Sequence, residues 1–114
     1  MDDPLSRTFL ALADPTRRAI LAQIADGALS VNAIVAAHHL SQPGISKHLK
    51  VLEEAGLIRR ERVAKTRPVH LDPEGLKRAG AWIDHYRKHW EAAFDRMDAL
   101  IARLNEEAAK NGRE

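Results

Sequence analysis

Five large apolar residues, Leu76, Ile83, Trp90, Met97 and Leu104, recur at strict intervals of seven in the last third of the chain. Ala79, Tyr86, Ala93 and Leu100 follow the first four of them three residues later, so the apolar stripe has the a/d spacing of a helix seam. Between Pro73 and Asn111-Gly112 nothing signals a helix end, which predicts a helix over 73–110 of about 38 residues and about 55 Å. Phe94 and Ile101 widen the stripe. A chain of 114 residues buries one modest core and cannot cover both of its tryptophans along so long a helix. A second copy of the chain is the expected cover, which places Leu76, Ile83, Tyr86, Trp90, Phe94, Met97, Ile101 and Leu104 in a dimer interface.

The rest of the chain reads as closely spaced short helices. Leu5, Phe9 and Leu12 form one stripe on a first helix that stops at Ala13. Asp14-Pro15 starts a second, because Asp caps an orphan N–H and Pro at the first helical position loses no needed donor. Ile20, Leu21 and Ile24 turn inward, and Asp26-Gly27 ends it. Ser30 or Asn32 caps a third helix with Ile34 and Val35. Ser41 caps a fourth, with Ile45, Leu49 and Leu52 as its buried stripe and Gly56 as its end.

On the other side of the fourth helix lie Gln42, Gly44, Ser46, Lys47 and Lys50, all small, polar or basic, as a helix facing phosphates and base edges requires. His48 borders the buried stripe and has two readings, packing or a hydrogen bond to phosphate. A third helix, a short turn and a polar-faced fourth helix make a helix-turn-helix over about 30–56. The next segment, 57–71, has β-branched residues on both sides of Ala64-Lys65-Thr66 and reads as a β-hairpin wing. Pro68 predicts that its second strand is short or at an edge.

Net charge is only +2, but its distribution is uneven. Residues 1–40 and 71–114 each carry one excess negative charge, whereas residues 41–70 carry seven Lys and Arg against three Glu. Arg59, Arg62, Lys65 and Arg67 on the hairpin join the fourth-helix residues as the candidate nucleic-acid face.

The 114 residues contain no cysteine, which excludes disulfides, thiol catalysis and thiolate metal sites. No nucleophile with a base, paired carboxylates or phosphate-cradling glycine loop is visible, so no enzyme and no cofactor are expected. There is no leader-like or membrane-spanning run, and a cytoplasmic protein is expected. His38 and His39 are read as structural, and Trp82 either packs on the domain or lines a pocket.

The strings ADPTRRAILAQIADG, LSQPGISKHLKVLEEAGLI, the basic hairpin and HLDPEGL resemble the ArsR/SmtB family of bacterial regulators from about residue 5 to 105. The resemblance implies a homodimer joined through its first and last helices, which adds Leu5 and Phe9 to the interface. It also implies binding to an inverted-repeat operator in double-stranded DNA, autorepression, and release by an inducer not named by the residues. The family's thiolate metal sensors have cysteines at the start of the third helix, where this chain has Ser30 and Asn32. Its other metal site uses Asp and His on the last helix with His and Glu or His from the partner chain. Asp84, His85, His89 and Glu91 do not match that spacing, so no metal is expected. A metal-responsive repressor using those residues is the alternative. The expected fold is mainly α with a small β-hairpin: one winged helix-turn-helix domain over 1–114 with long N- and C-terminal dimerisation helices.

Overall fold

The computed structural model describes residues 3–62 and 65–112. The chain divides into two compact units, Met1–Gly80 and Ala81–Glu114. The first contains α1 (Pro4–Leu12), α2 (Pro15–Ile24), β1 (Leu29–Ser30), α3 (Val31–Ala36), α4 (Gln42–Glu54), β2 (Ile58–Arg60), β3 (Pro68–Leu71) and the opening turns of α5 (Pro73–Gly112).

Side-chain oxygens cap the four shorter helices. Asp3 accepts from the Ser6 amide, Asp14 from those of Thr16 and Arg17, Ser30 from Ala33 and Ser41 from Gly44. The Asp14-Pro15 start therefore forms as expected, and it confines α1 to nine residues. The corner between α1 and α2 is closed by the two arginines that follow. Arg17 Nε donates to the carbonyl of Ala11 at 2.8 Å and its Nη2 to that of Leu10 at 3.0 Å, while Arg18 Nη1 reaches that of Leu12 at 2.8 Å. These guanidinium groups donate to carbonyls in the last turn of α1, of which that of Leu10 also accepts from the Ala13 amide at 3.2 Å.

The core of this unit is aliphatic. Ile20, Ile24, Ile34, Ile45, Leu49, Leu52, Leu57, Ile58 and Val69 are fully buried, so the expected inner stripes of α2 and α4 are the observed ones. Helix α1 differs from its apolar pattern. Its buried residues are Thr8 and Ala11, while Leu5 and Phe9 are half-buried and Leu10 is exposed. Thr8 can face inward because its hydroxyl has acceptors there, the carbonyls of Pro4 at 3.0 Å and Ala55 at 3.1 Å.

The sheet has three antiparallel strands in the order β1-β3-β2. The expected hairpin is present as β2 and β3, with Ile58 opposite Leu71 and Arg60 opposite Val69. Its second strand is short, as one of the two expectations had it, at four residues, but it is central rather than at an edge, because the two-residue β1 pairs with its other side, Ser30 opposite Pro68. Pro68 fits there as the first residue of its strand, where its carbonyl accepts from the Glu61 amide at 3.1 Å. The turn lies at Lys65-Thr66, followed by Arg67 with φ 47°; Ala64, also expected in it, lies outside the described residues.

The exit of α4 meets the start of α5 through two glycines. Gly56 has φ 74°, a conformation that glycine adopts without a Cβ penalty, and its carbonyl accepts from the Gly75 amide at 2.9 Å. A Cβ at Gly75 would lie 2.8 Å from that carbonyl oxygen, so only glycine allows the approach.

The second unit is the helical segment 81–112 of α5, which continues two residues past the expected end at 110. Trp82, Ile83, Tyr86, Trp90, Phe94, Met97, Leu100, Ile101 and Leu104 are all exposed on it. Trp82, Tyr86 and Trp90 form an aromatic row, with ring centroids 4.9 Å apart for the first pair and 6.2 Å for the second. Among the described residues no helix is long and apolar enough to cross a membrane.

Candidate nucleic-acid interface

Helices α3 and α4 with the turn between them place one polar helix face beside the wing. Ser41 caps α4 and Pro43 lies in its first turn, so Gln42 and Ser46 stand one turn apart at its start. They line an open groove of about 580 Å³ whose other walls are Ser30, Val31 and Asn32 from β1 and α3, and Arg60, Lys65, Thr66 and Arg67 from the wing. Three of the lining residues are cationic and none is acidic. Among the described residues none of these three cations makes a salt bridge. Lys47 and Lys50 are exposed on α4 outside the groove.

The other candidates fall elsewhere. Gly44 is half-buried in the first turn of α4, and its amide donates to Ser41 Oγ at 3.3 Å. His48 is half-buried against α2, with its Nδ1 3.3 Å from Arg17 Nη1. An arginine can only donate, so Nδ1 is the acceptor in this pair. Arg59 stands on the opposite face of the sheet from Arg60, opposite His70 in the register. On that face His70 Nε2 lies 2.8 Å from Glu61 Oε1, although it is out of line for a hydrogen bond. Arg62 is bound at both nitrogens to Glu53 of α4, Nη1 to Oε2 at 3.0 Å and Nη2 to Oε1 at 2.5 Å, and this pairing holds its proton even more tightly than is usual for arginine.

The groove also holds Arg60, which the sequence reading counted only within the basic middle of the chain, and Asn32. The signal for Arg60 was available, since the two-residue period of a strand puts it on the side of Ile58, which faces the core. Asn32 was legible only as a possible cap, because β1 is too short to show where α3 begins relative to the wing.

Residues 12–61 match a helix-turn-helix domain family. The chain is 43% identical over 96 residues to the HTH-type transcriptional regulator Rv2034 of Mycobacterium tuberculosis, covering 83% of this chain and 86% of that protein. The crystal structure of the ArsR family transcriptional regulator RHA00566 superposes with a TM-score of 0.72 at 32% identity, covering 77% of this chain and 91% of that one. The chain belongs to the ArsR/SmtB family. It is a winged helix-turn-helix transcriptional regulator, and its matched relatives are regulators rather than enzymes. A second similar structure, with a TM-score of 0.60 at 27% identity, covering 75% of this chain and 80% of that one, is described as the homodimeric winged helix-turn-helix DNA-binding domain of Mb0332 from Mycobacterium bovis.

The dimer-seam candidates of this regulator lie on α1 and α5. Leu76 is exposed on the first turns of α5, and Ile83, Tyr86, Trp90, Phe94, Met97, Ile101 and Leu104 are exposed on its later segment. His85 packs edge-on against Tyr86 at 4.8 Å, and Asp84 is bridged to Arg87 at 2.6 Å. Among the described residues of one chain, no three His, Asp or Glu side chains converge as a metal site would require.

Proposed function

We propose that the regulator is a homodimeric repressor of double-stranded DNA sites with inverted-repeat symmetry, its own promoter included. Each α4 enters a major groove and each wing lies along the flanking backbone, so that an occupied promoter excludes polymerase. The observation that carries this reading is the acid-free groove between Gln42 and Ser46 on α4 and Arg60, Lys65 and Arg67 on the wing. Its walls combine amide and hydroxyl groups for base edges with cations for phosphate. Arg67 adds support, because a side chain held at φ 47° where glycine would be cheaper has a use for its guanidinium group. Homodimerisation is supported by the apolar row on α5 and by the homodimeric relative from Mycobacterium bovis.

Affinity for a promoter duplex and for a scrambled one, measured by fluorescence anisotropy at several salt concentrations, tests the reading. Gln42→Ala is expected to lose about 1–3 kcal/mol of discrimination between the two. Lys65→Ala is expected to weaken both alike and to lower the salt slope by about one unit. If neither variant changes binding to any duplex, the DNA-facing surface has been assigned wrongly.

A further inference from the structure

The geometry points to a division of labour within the wing, resting on the DNA-binding reading above: Arg62 positions the wing by gripping Glu53 of α4, and Arg60 is the arginine that meets phosphate. The guanidinium of Arg62 meets the carboxylate of Glu53 in a two-bonded fork, at 3.0 and 2.5 Å, which fixes orientation as well as distance. The two residues are nine apart, one in the last turn of α4 and the other just past β2, so the pair spans from the recognition helix to the wing. Glu53 is the more enclosed partner, its side chain 27% exposed against 63% for Arg62. A phosphate that took Arg62 would leave this carboxylate unpaired close to DNA, and the resulting repulsion offsets the attraction between Arg62 and the phosphate. The pair is neutral as a whole, so it releases no counterion from DNA.

Arg60 has the opposite surroundings. It is half-buried at the root of the wing, opposite Val69, and it lines the groove faced by Gln42 and Ser46. It also lines a smaller recess of about 200 Å³ with Glu61, Arg62 and Arg67. Among the described residues no carboxylate pairs with it. Its charge is therefore available to DNA, and its half-buried stem limits the freedom lost on binding.

The test is equilibrium binding of the full chain to a labelled 30-base-pair mixed-sequence duplex across a potassium chloride series, with thermal melting of every variant to establish folding. Arg60→Ala is expected to weaken binding about fivefold to tenfold near 0.1 M salt and to lower the salt slope by about one unit. The neutral double variant Glu53→Gln with Arg62→Gln keeps the net charge and is expected to keep the wild-type slope. The decisive variant reverses the pair, Glu53→Arg with Arg62→Glu. A positioning role predicts that it binds within about threefold of wild type, whereas Arg62→Glu alone binds more than tenfold worse. If Arg62 instead touches phosphate, the neutral double variant loses about one unit of slope and the reversed pair remains as weak as Arg62→Glu alone; either result overturns the proposal. An unchanged slope in Arg60→Ala also overturns it. A wild-type chain that does not bind the duplex at any salt concentration in the series refutes the DNA-binding reading itself, a different outcome from all of these.

Discussion

At the scale of single residues, the structure turns on a few side chains and glycines whose neighbours leave no alternative. Gly75 is the clearest case, because the carbonyl oxygens of Gly56 and Ala55 would lie 2.8 and 3.0 Å from any Cβ there. Both are backbone atoms and cannot swing aside as a flexible side chain would. The hydrogen bond from the Gly75 amide to Gly56 fixes the same contact. Gly75→Ala is therefore expected to destabilise the fold by about 1–3 kcal/mol, as overpacking of a tight contact does, with chemical denaturation as the measurement. Gly80, which has open space around its Cβ position, is the control and should tolerate alanine. Arg17 shows why charge alone does not assign a residue to DNA. It is a basic residue close to the helix-turn-helix, yet its three nitrogens are occupied by two α1 carbonyls and His48.

Helix starts were the most legible elements, since Asp14-Pro15, Ser30 and Ser41 act through neighbours in the chain. Asp14 also makes a pH prediction. The backbone N–H of Arg17, then that of Thr16 and the nearby charge of Arg17, hold its carboxyl below the ordinary aspartate value of 3.8. A carboxylate favoured in the folded state contributes stability that is present above its unfolded pKa and lost as pH falls through the folded one. The melting temperature of Asp14→Ala should thus lie below wild type at neutral pH, with the gap closing as the pH drops below about 3.8. A gap that is constant with pH would show that Asp14 does not act as a charged cap. The inner stripes of α2 and α4 were equally legible, because helical periodicity and burial agree there. Other features were hidden by their dependence on distant partners. Strand β1 is two residues long and exists only through its pairing with β3, which is also what moves Pro68 from an edge to the centre of the sheet. Thr8 is buried because carbonyls from α1 and the end of α4 receive its hydroxyl, and no local pattern announces Ala55 as its neighbour. In the candidate site, Gln42, Ser46, Lys65 and Arg67 were found from polarity and charge, but the pairing of Arg62 with Glu53 was not, since both look like solvated charges in a linear sequence.

For the molecule as a whole, the proposed dimer links the apolar row on α5 to the basic middle of the chain. In one chain Trp90 is 41% exposed and Phe94 62%, large apolar surfaces that a partner helix would cover. Trp90→Ala is expected to weaken the dimer by about 3–5 kcal/mol, visible by sedimentation as a shift of the monomer–dimer equilibrium. A wild-type chain that sediments as a monomer at micromolar concentration would refute the seam. Two copies give the DNA-facing groove a two-fold partner, so the whole account stands on one physical picture, in which paired α4 helices read successive turns of the same duplex. Footprinting of the regulator on the DNA immediately upstream of its own gene tests that picture most directly. The account predicts two symmetrically related protected segments with centres about one helical turn, roughly 10 base pairs, apart, both lost in Gln42→Ala before general affinity for DNA is lost. Uniform protection that no Gln42 substitution changes, or a single protected segment at saturating protein, would contradict it.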